Sequence, residues 1–284
     1  MVSILFKSNT AKLHAPHFTE KQNGLKQNKL RVDLAQVFCW DNSNFTTSII
    51  ETIMKTIIHT DSDFICDIQA PCFQTLSPEE VELVRSSKTQ ILFRKGDNLT
   101  KQGAFTSYTL FLIKGLAKQY IEGDGNKSYN LRIIRPGEFV GLSAIFQSNT
   151  FYYSSVALTD CQVFLIEKEA INRVCMQNGV FTTHIVRRYI EQNSNLYEKL
   201  QTVLYKQMNG RMAETLLYID ALKSENHEIF QLLSRKDLAD FAATSIESAV
   251  KLLKSFEKDG LIRLNEKDIE IVDHTSLLEI VKHG

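Results

Sequence analysis

The chain has 284 residues, 33 Lys and Arg against 33 Asp and Glu, 43% hydrophobic and 10% aromatic residues, a balance that suggests about two domains with real cores and excludes an acidic disordered tail or a low-complexity linker. No apolar run reaches the roughly 18 residues that cross a bilayer, and the opening Met1-Val2-Ser3-Ile4-Leu5-Phe6-Lys7 is too short for a secretory signal, so a cytoplasmic protein without membrane contact is expected. Five scattered cysteines (Cys39, Cys66, Cys72, Cys161, Cys175) fit a reducing compartment better than a disulfide framework, and zero net charge argues against a lysine-coated polyanion binder.

In residues 1–60, Lys7, Lys12, Lys21, Lys26, Lys29, Arg31 and Lys55 outnumber Glu20, Asp33, Asp41 and Glu51, and no steady period runs until Ile49 to Met54. The segment reads as an N-terminal extension of low order, with a start codon placed too early as the other explanation. Ser77-Pro78-Glu79-Glu80 then writes a helix start, with Ser77 as cap, Pro78 in the first helical position and Glu80 closing a capping box, and predicts a helix over 78–86. From 90 to 166 the pattern changes to short β-branched and aromatic stretches at 90–93, 108–113, 116–121, 129–134, 152–158 and 162–166, separated by Gly96, Gly103, Gly115, Gly123, Gly125, Gly137 and Gly141. Strands at this spacing without intervening helices imply an antiparallel roll or sandwich over 61–170.

After Glu167 the period turns helical for about 35 residues, and a helix over 171–208 is expected. Val186, Tyr189, Leu196, Leu200 and Val203 fall at alternating three- and four-residue steps around Asn193, the seam of a two-stranded contact with a second copy of the chain, in which one Asn fixes register. Packing along the chain's own domain is the alternative. Asn209-Gly210 is expected to break this helix and open a C-terminal block over 209–284.

Within that block, 233–262 reads as two helices around a tight corner. Ser234 caps the first with Asp237 three residues on, and Thr244 is expected to cap the second with Glu247 at the capping-box position. Ala239 and Ala249 are small where two helices must cross closely, and Leu238, Phe241, Leu252 and Leu253 supply a buried face. Asp259-Gly260 ends the second helix, and residues 261–264 and 269–272 alternate around Asn265-Glu266-Lys267-Asp268 as a hairpin. This is a winged helix-turn-helix, whose second helix (245–256) enters the major groove of double-stranded DNA. Ser245, Ile246, Glu247, Ser248 and Lys251 are the candidates to reach base edges, Glu247 accepting from a cytosine amino group and Ile246 touching a thymine methyl. Lys251, Lys254, Arg235 and Lys236 are candidates for phosphate contacts. Capping accounts for Glu247 equally well, and a solvated helix face accounts for any single lysine. From residue 209 onward ten Lys and Arg stand against fourteen acids, so specificity must rest on a few cations placed around one helix.

This order of parts, an α+β chain with an antiparallel β-roll, a long dimerisation helix and a winged helix-turn-helix, resembles the Crp/Fnr family of bacterial transcription regulators over roughly 72–275. Its landmarks are Gly96, Gly103 and Gly115, then Arg135-Pro136-Gly137-Glu138-Phe139-Val140-Gly141, Val156-Ala157-Leu158-Thr159-Asp160-Cys161 and the span 234–254. The resemblance implies a cyclic-nucleotide-binding-like roll and a homodimer on a pseudo-palindromic operator with half-sites about one helical turn apart. It also implies contact with RNA polymerase.

Departures from the family pattern concern the effector. Members that bind cyclic AMP carry a Glu directly after the Gly-Glu-Phe-Val-Gly turn and an Arg-Ser pair further on; here the chain reads Leu142-Ser143-Ala144 and then Phe151-Tyr152-Tyr153-Ser154-Ser155, with no cation. A buried phosphate without a partner is costly, so a classical cyclic nucleotide is not expected. Gly137, Glu138, Gly141, Leu142, Ser143, Tyr152 and Tyr153 remain as candidate effector-pocket residues, with core packing the alternative for the aromatics. Oxygen-sensing members hold an iron–sulfur cluster on four cysteines. Cys66 and Cys72 reproduce one spacing, but Asp63 stands three before Cys66, so no metal or cofactor is expected; a cluster, or a haem on a histidine such as His184, is the minor alternative. Lys251 stands where the family usually has an Arg, and Ala243 where the turn residue is often Gly. A competing reading is a small-molecule-binding roll or cupin-like enzyme without DNA binding. Residues 90–166 contain no His for such metal chemistry, and no nucleophile–base set, P-loop or dinucleotide fingerprint is present, so no catalysis is expected.

Overall fold

Alternation of side chains along short strands lets a strand bury one face inside a roll and keep the other for a second layer. The computed structural model describes residues 55, 56 and 72–284 apart from 126, 147 and 148. Most of the extension expected over 1–60 therefore lies outside the described residues. In chain order the elements are β1 (Lys55–Thr56), a 3-10 turn, α1 (Pro78–Ser86), β2 (Lys88–Phe93), β3 (Asn98–Thr100), β4 (Tyr108–Lys114), β5 (Ala117–Glu122), β6 (Ser128–Ile134), β7 (Phe139–Val140), α2 (Ser143–Phe146), β8 (Ser154–Ala157) and β9 (Cys161–Glu167). Then follow α3 (Lys168–Gln177), α4 (Gly179–Tyr205), α5 (Met208–Asp220), two 3-10 turns, α6 (Arg235–Phe241), α7 (Ile246–Lys258), β10 (Ile262–Asn265), β11 (Asp268–Ile271) and α8 (His274–His283).

The roll consists of two antiparallel sheets, ordered β1-β2-β9-β4-β7 and β3-β8-β5-β6. Ile91, Leu110, Leu112, Val163 and Leu165 from the first sheet meet Leu99, Ala117, Ile134 and Ala157 from the second in the interior. The opposite face of β4 and β9, with Phe111, Phe164 and Ile166, packs under α3 and the start of α4, where Phe73 stands edge-on to Phe111 at 5.0 Å between ring centroids. Gly115 turns between β4 and β5 at φ +96°, and a Cβ there would lie 2.4 Å from the Asp160 carbonyl oxygen. Only glycine satisfies both conditions.

The short strands β3 and β7 and the one-turn helix α2 were not read from the sequence, and both ends of the long helical run differ from that reading. The helical run after Glu167 is two helices, because Asn178 caps a new one: its side chain accepts from Phe181 N at 2.9 Å and donates to the Thr75 carbonyl and to Glu80. The run also ends earlier than expected. Lys206 and Gln207 are extended, and Asn209-Gly210 lies in the first turn of α5 rather than at a break. Gly210 is there for a close approach, since a Cβ would lie 2.8 Å from the carbonyl oxygen of Gly284. Behind this link the C-terminal core gathers Met212, Leu216, Ile219, Phe230, Leu238, Phe241, Leu253, Phe256, Ile269 and Leu277, and Leu116, Ile133 and Leu158 of the roll join it.

Candidate nucleic-acid interface

Ser234 caps α6 with a full capping box: Asp237 N donates to Ser234 Oγ, and Ser234 N donates to Asp237 Oδ2 at 2.7 Å. The helix ends at Ala242, and Ala243 turns the chain at φ +49°, a left-handed conformation that costs an L-residue about 1 kcal/mol. Arg211 supports the corner, donating to the carbonyls of Ala242 and Ala243. The cap of α7 is Ser245, one residue later than expected, accepting from Ser248 N at 3.1 Å; Thr244 instead turns its hydroxyl to the sulfur of Met208 at 3.4 Å. Glu247 is thus released from the capping-box role. α6 and α7 pack on each other, and Ala239 and Ala249 are both fully buried.

This packing leaves the front of α7 open. Ser245, Ile246, Glu247, Lys251 and Lys254 are exposed and Ser248 is half-buried, along the first three turns. The Glu247 carboxyl is held below its ordinary range by its own backbone N–H, then by the Ser245 hydroxyl, so an ionised acceptor stands at the helix entrance. Lys251 and Lys254 make no ion pair among the described residues, which leaves both ammonium groups available to phosphate or base edges. Arg235 and Lys236 are placed differently. Arg235 donates Nη2 to the carbonyl of Glu266 at 3.1 Å, tying the wing to α6, and Lys236 pairs with Asp240 at 2.5 Å. The wing is a four-pair hairpin from Ile262↔Ile271 to Asn265↔Asp268, and its exposed tip carries Lys267. Sequence reasoning assigned no role to Lys267 or Arg211. The turn read at Asn265-Glu266-Lys267-Asp268 was the available signal for the first; nothing local signals the second.

On α4, Val186, Tyr189, Leu196, Leu200 and Val203 are 37–55% exposed and Asn193 is half-buried, forming one apolar strip that Ile190, Tyr197 and Leu204 widen. The opposite side of the helix faces its own roll: Phe181 and Ile185 are buried and Arg188 donates to the Gly137 carbonyl at 2.9 Å.

The seven candidate effector residues are not gathered around one space. Gly137 and Glu138 border a cavity of about 970 Å³ between β6, α4 and α5, whose walls include Arg132, Arg188, Gln192 and Tyr218. Glu138 is taken up by ion pairs with Arg132 and Arg135. Leu142 is buried in the core under α3, Ser143 opens α2, and Tyr152 faces outward at 59% exposure. Gly141 sits at φ +86° beneath the ring of Phe151, and its N–H donates to the Tyr153 hydroxyl at 2.7 Å, so this backbone donor is already satisfied. Cys161 donates its thiol to the carbonyls of Leu116 and Thr159, and burial pushes its pKa up to about 11. Cys72 and Cys175 are also buried, while Cys39 and Cys66 lie outside the described residues. Among the described residues no group of His, Cys, Asp and Glu is placed to hold a metal ion, and no helix is long and apolar enough to cross a membrane.

Two family descriptions match the halves of this architecture, the cyclic nucleotide-binding domain over residues 90–178 and the Crp-like helix-turn-helix domain over residues 210–280. The chain belongs to the Crp/Fnr family of transcription regulators. Among curated relatives, the Cyclic AMP receptor protein of Thermus thermophilus is 24% identical over 219 residues, covering 76% of this chain and 98% of that one. The Transcriptional regulatory protein btr of Bordetella pertussis is 27% identical over 150 residues, 51% of this chain and 62% of that one. A solved structure of a crp/fnr-family regulator from Eubacterium rectale shares the fold with a TM-score of 0.61 at 18% identity, covering 75% of this chain and 98% of that one. This Crp/Fnr regulator therefore joins a cyclic-nucleotide-binding-like roll to a winged helix-turn-helix, and the reading of the roll as a DNA-independent enzyme is not favoured.

Proposed function

We propose that this Crp/Fnr regulator acts in the cytoplasm as a homodimer that lays two copies of α7 in the major groove of a pseudo-palindromic operator, with half-sites about one helical turn apart. The observation that carries the reading is the exposed front of α7, with Ile246, Glu247 and Lys251 open on a helix braced from behind by α6. Glu247 and Ile246 read bases, and Lys251 and Lys254 hold phosphate or base edges. Arg235 and Lys236 contribute less than α7, because both are spent on intramolecular partners. The partner chain covers the strip from Val186 to Val203, which would otherwise expose a run of apolar side chains to water.

The effector is something other than a cyclic nucleotide held through its phosphate. One relative carries the name of a cyclic AMP receptor, but here residues 151–155 offer no cation and Tyr153 already occupies the Gly141 N–H. The regulator performs no catalysis of its own and acts through RNA polymerase. Selection of bound fragments from genomic DNA tests the reading. A symmetric consensus with two half-sites supports it, and recovery of fragments without a common sequence would sink it.

A further inference from the structure

The first helix of the motif is seated on the sensor domain through polar contacts. Asp237 uses its two carboxylate oxygens separately: Oδ2 takes the Ser234 cap, and Oδ1 forms an ion pair with Lys118 of β5, both side chains at most 16% exposed. Asn130 of β6, fully buried, donates Nδ2 to the Asp237 carbonyl at 3.0 Å. At the other end of α6, Ser128 donates to Asp240 Oδ2 at 2.7 Å, and Lys236 reaches both groups. A cap needs only one oxygen of Asp237. The second is spent on a different domain.

We infer that this seat of α6 on β5 and β6 aims the recognition helix, and that Lys118 is a positioning residue for operator binding. The inference rests on the operator reading proposed above. α7 packs on α6, and Ala239 on one and Ala249 on the other are fully buried methyl groups with no rotamer to adjust, so the direction of α7 relative to the roll follows from where α6 is held. The roll is joined to α4, and α4 carries the strip on which two copies meet, so the same seat sets the distance between two recognition helices. Charged pairs out of water contribute little net stability but reject wrong arrangements, because a displaced partner leaves an unpaired charge. The seat also leaves Ile246, Glu247 and Lys251 exposed, which is what an aimed helix requires and a blocked one would not show.

The test uses the full chain and two variants. Lys118→Met removes the cation, and Lys118→Met with Asp237→Asn removes both charges while an amide oxygen still caps α6, which covers the case in which the single variant does not fold. Three quantities are measured: hydrogen exchange of the α6 amides, affinity for the selected operator and for random DNA, and the penalty for inserting one base pair between half-sites. The expected result is faster exchange in α6, an operator affinity lower by about tenfold, random-DNA affinity within about twofold, and a smaller insertion penalty. A merely structural loss would not relax the spacing preference. Wild-type operator affinity and spacing preference in a variant whose α6 exchanges faster would overturn the inference, as would a gain in affinity. A wild-type chain that selects no operator would bring down the operator reading and this inference together, while unchanged α6 exchange removes the seat alone.

Discussion

Arg211 and Ala243 meet across the base of the helix-turn-helix, the guanidinium Nη2 donating to the Ala243 carbonyl at 3.3 Å while Nε reaches Ala242 and Nη1 reaches Lys206, both at 2.8 Å. One cation thereby joins the link after α4 to the strained turn before α7. Replacing Arg211 by Ala leaves three carbonyls without their charged donor and should cost about 2–3 kcal/mol in urea unfolding. Arg211→Lys should recover only part of that loss, because an ammonium cannot supply the planar fork.

Glycines in the roll differ in what they tolerate. Gly115 and Gly96 share positive φ, but a Cβ at Gly115 runs into the Asp160 backbone whereas one at Gly96 meets nothing within 4 Å. Gly115→Ala should destabilise by about 3 kcal/mol or more and Gly96→Ala by about 1–2 kcal/mol, read as thermal unfolding shifts of different size. Equal shifts would mean that conformation alone matters at both sites.

Leu196→Glu together with Leu200→Glu places four carboxylates on the proposed seam of a dimer. Sedimentation should report monomers, and operator affinity should fall by orders of magnitude while random-DNA binding falls less. A variant that still sediments as a dimer points to another interface.

On the recognition helix, Lys251→Ala should weaken operator binding, and Glu247→Gln should change the preferred base at one position per half-site at a cost of about 1–3 kcal/mol on the original sequence. Lys254→Ala should act alike on all sequences and reduce the slope of log affinity against log salt by about 1 per subunit. Selection repeated with each variant separates these outcomes.

Asp237 ties acid stability to the seat of α6. Burial pushes its carboxyl up, but the Lys118 ammonium and the Ser234 hydroxyl outweigh burial and hold it below the ordinary range. A depressed carboxyl contributes stability that is present above its unfolded value near 3.9 and disappears as pH falls through the folded value. Unfolding followed from pH 6 downward should therefore show a loss of stability beginning around pH 4 in the wild type, and Asp237→Asn should flatten that limb.

Much of the architecture could be read from local chemistry. The capping boxes at Ser77 and Ser234 stand where they were expected, and the expected hairpin forms, although Asn265 and Asp268 pair as strand residues and leave a loop of two residues where a turn of four was read. The misplaced boundaries have a common cause. Asn178 ends one helix by bonding Thr75 and Glu80, about a hundred residues earlier, and Gly210 serves the close approach of Gly284. The shift of the α7 cap from Thr244 to Ser245 is subtler, because both residue types cap well; Ser245 caps, and the Thr244 hydroxyl turns to Met208.

The amino-acid sequence alone determined the order of roll, long helix and winged helix-turn-helix, because period, caps and turns are short-range properties. Tertiary structure decided which cations of the helix-turn-helix stay unpaired at the surface. Lys236 pairs with Asp240 four residues on along α6 and, through the packing of α6 on β5 and β6, also reaches Ser128, whereas Lys251 and Lys254 stay at the surface. Availability of a charge depends on what stands within about 3 Å of it, and for Lys236 one such neighbour, Ser128, lies more than a hundred residues away in the chain.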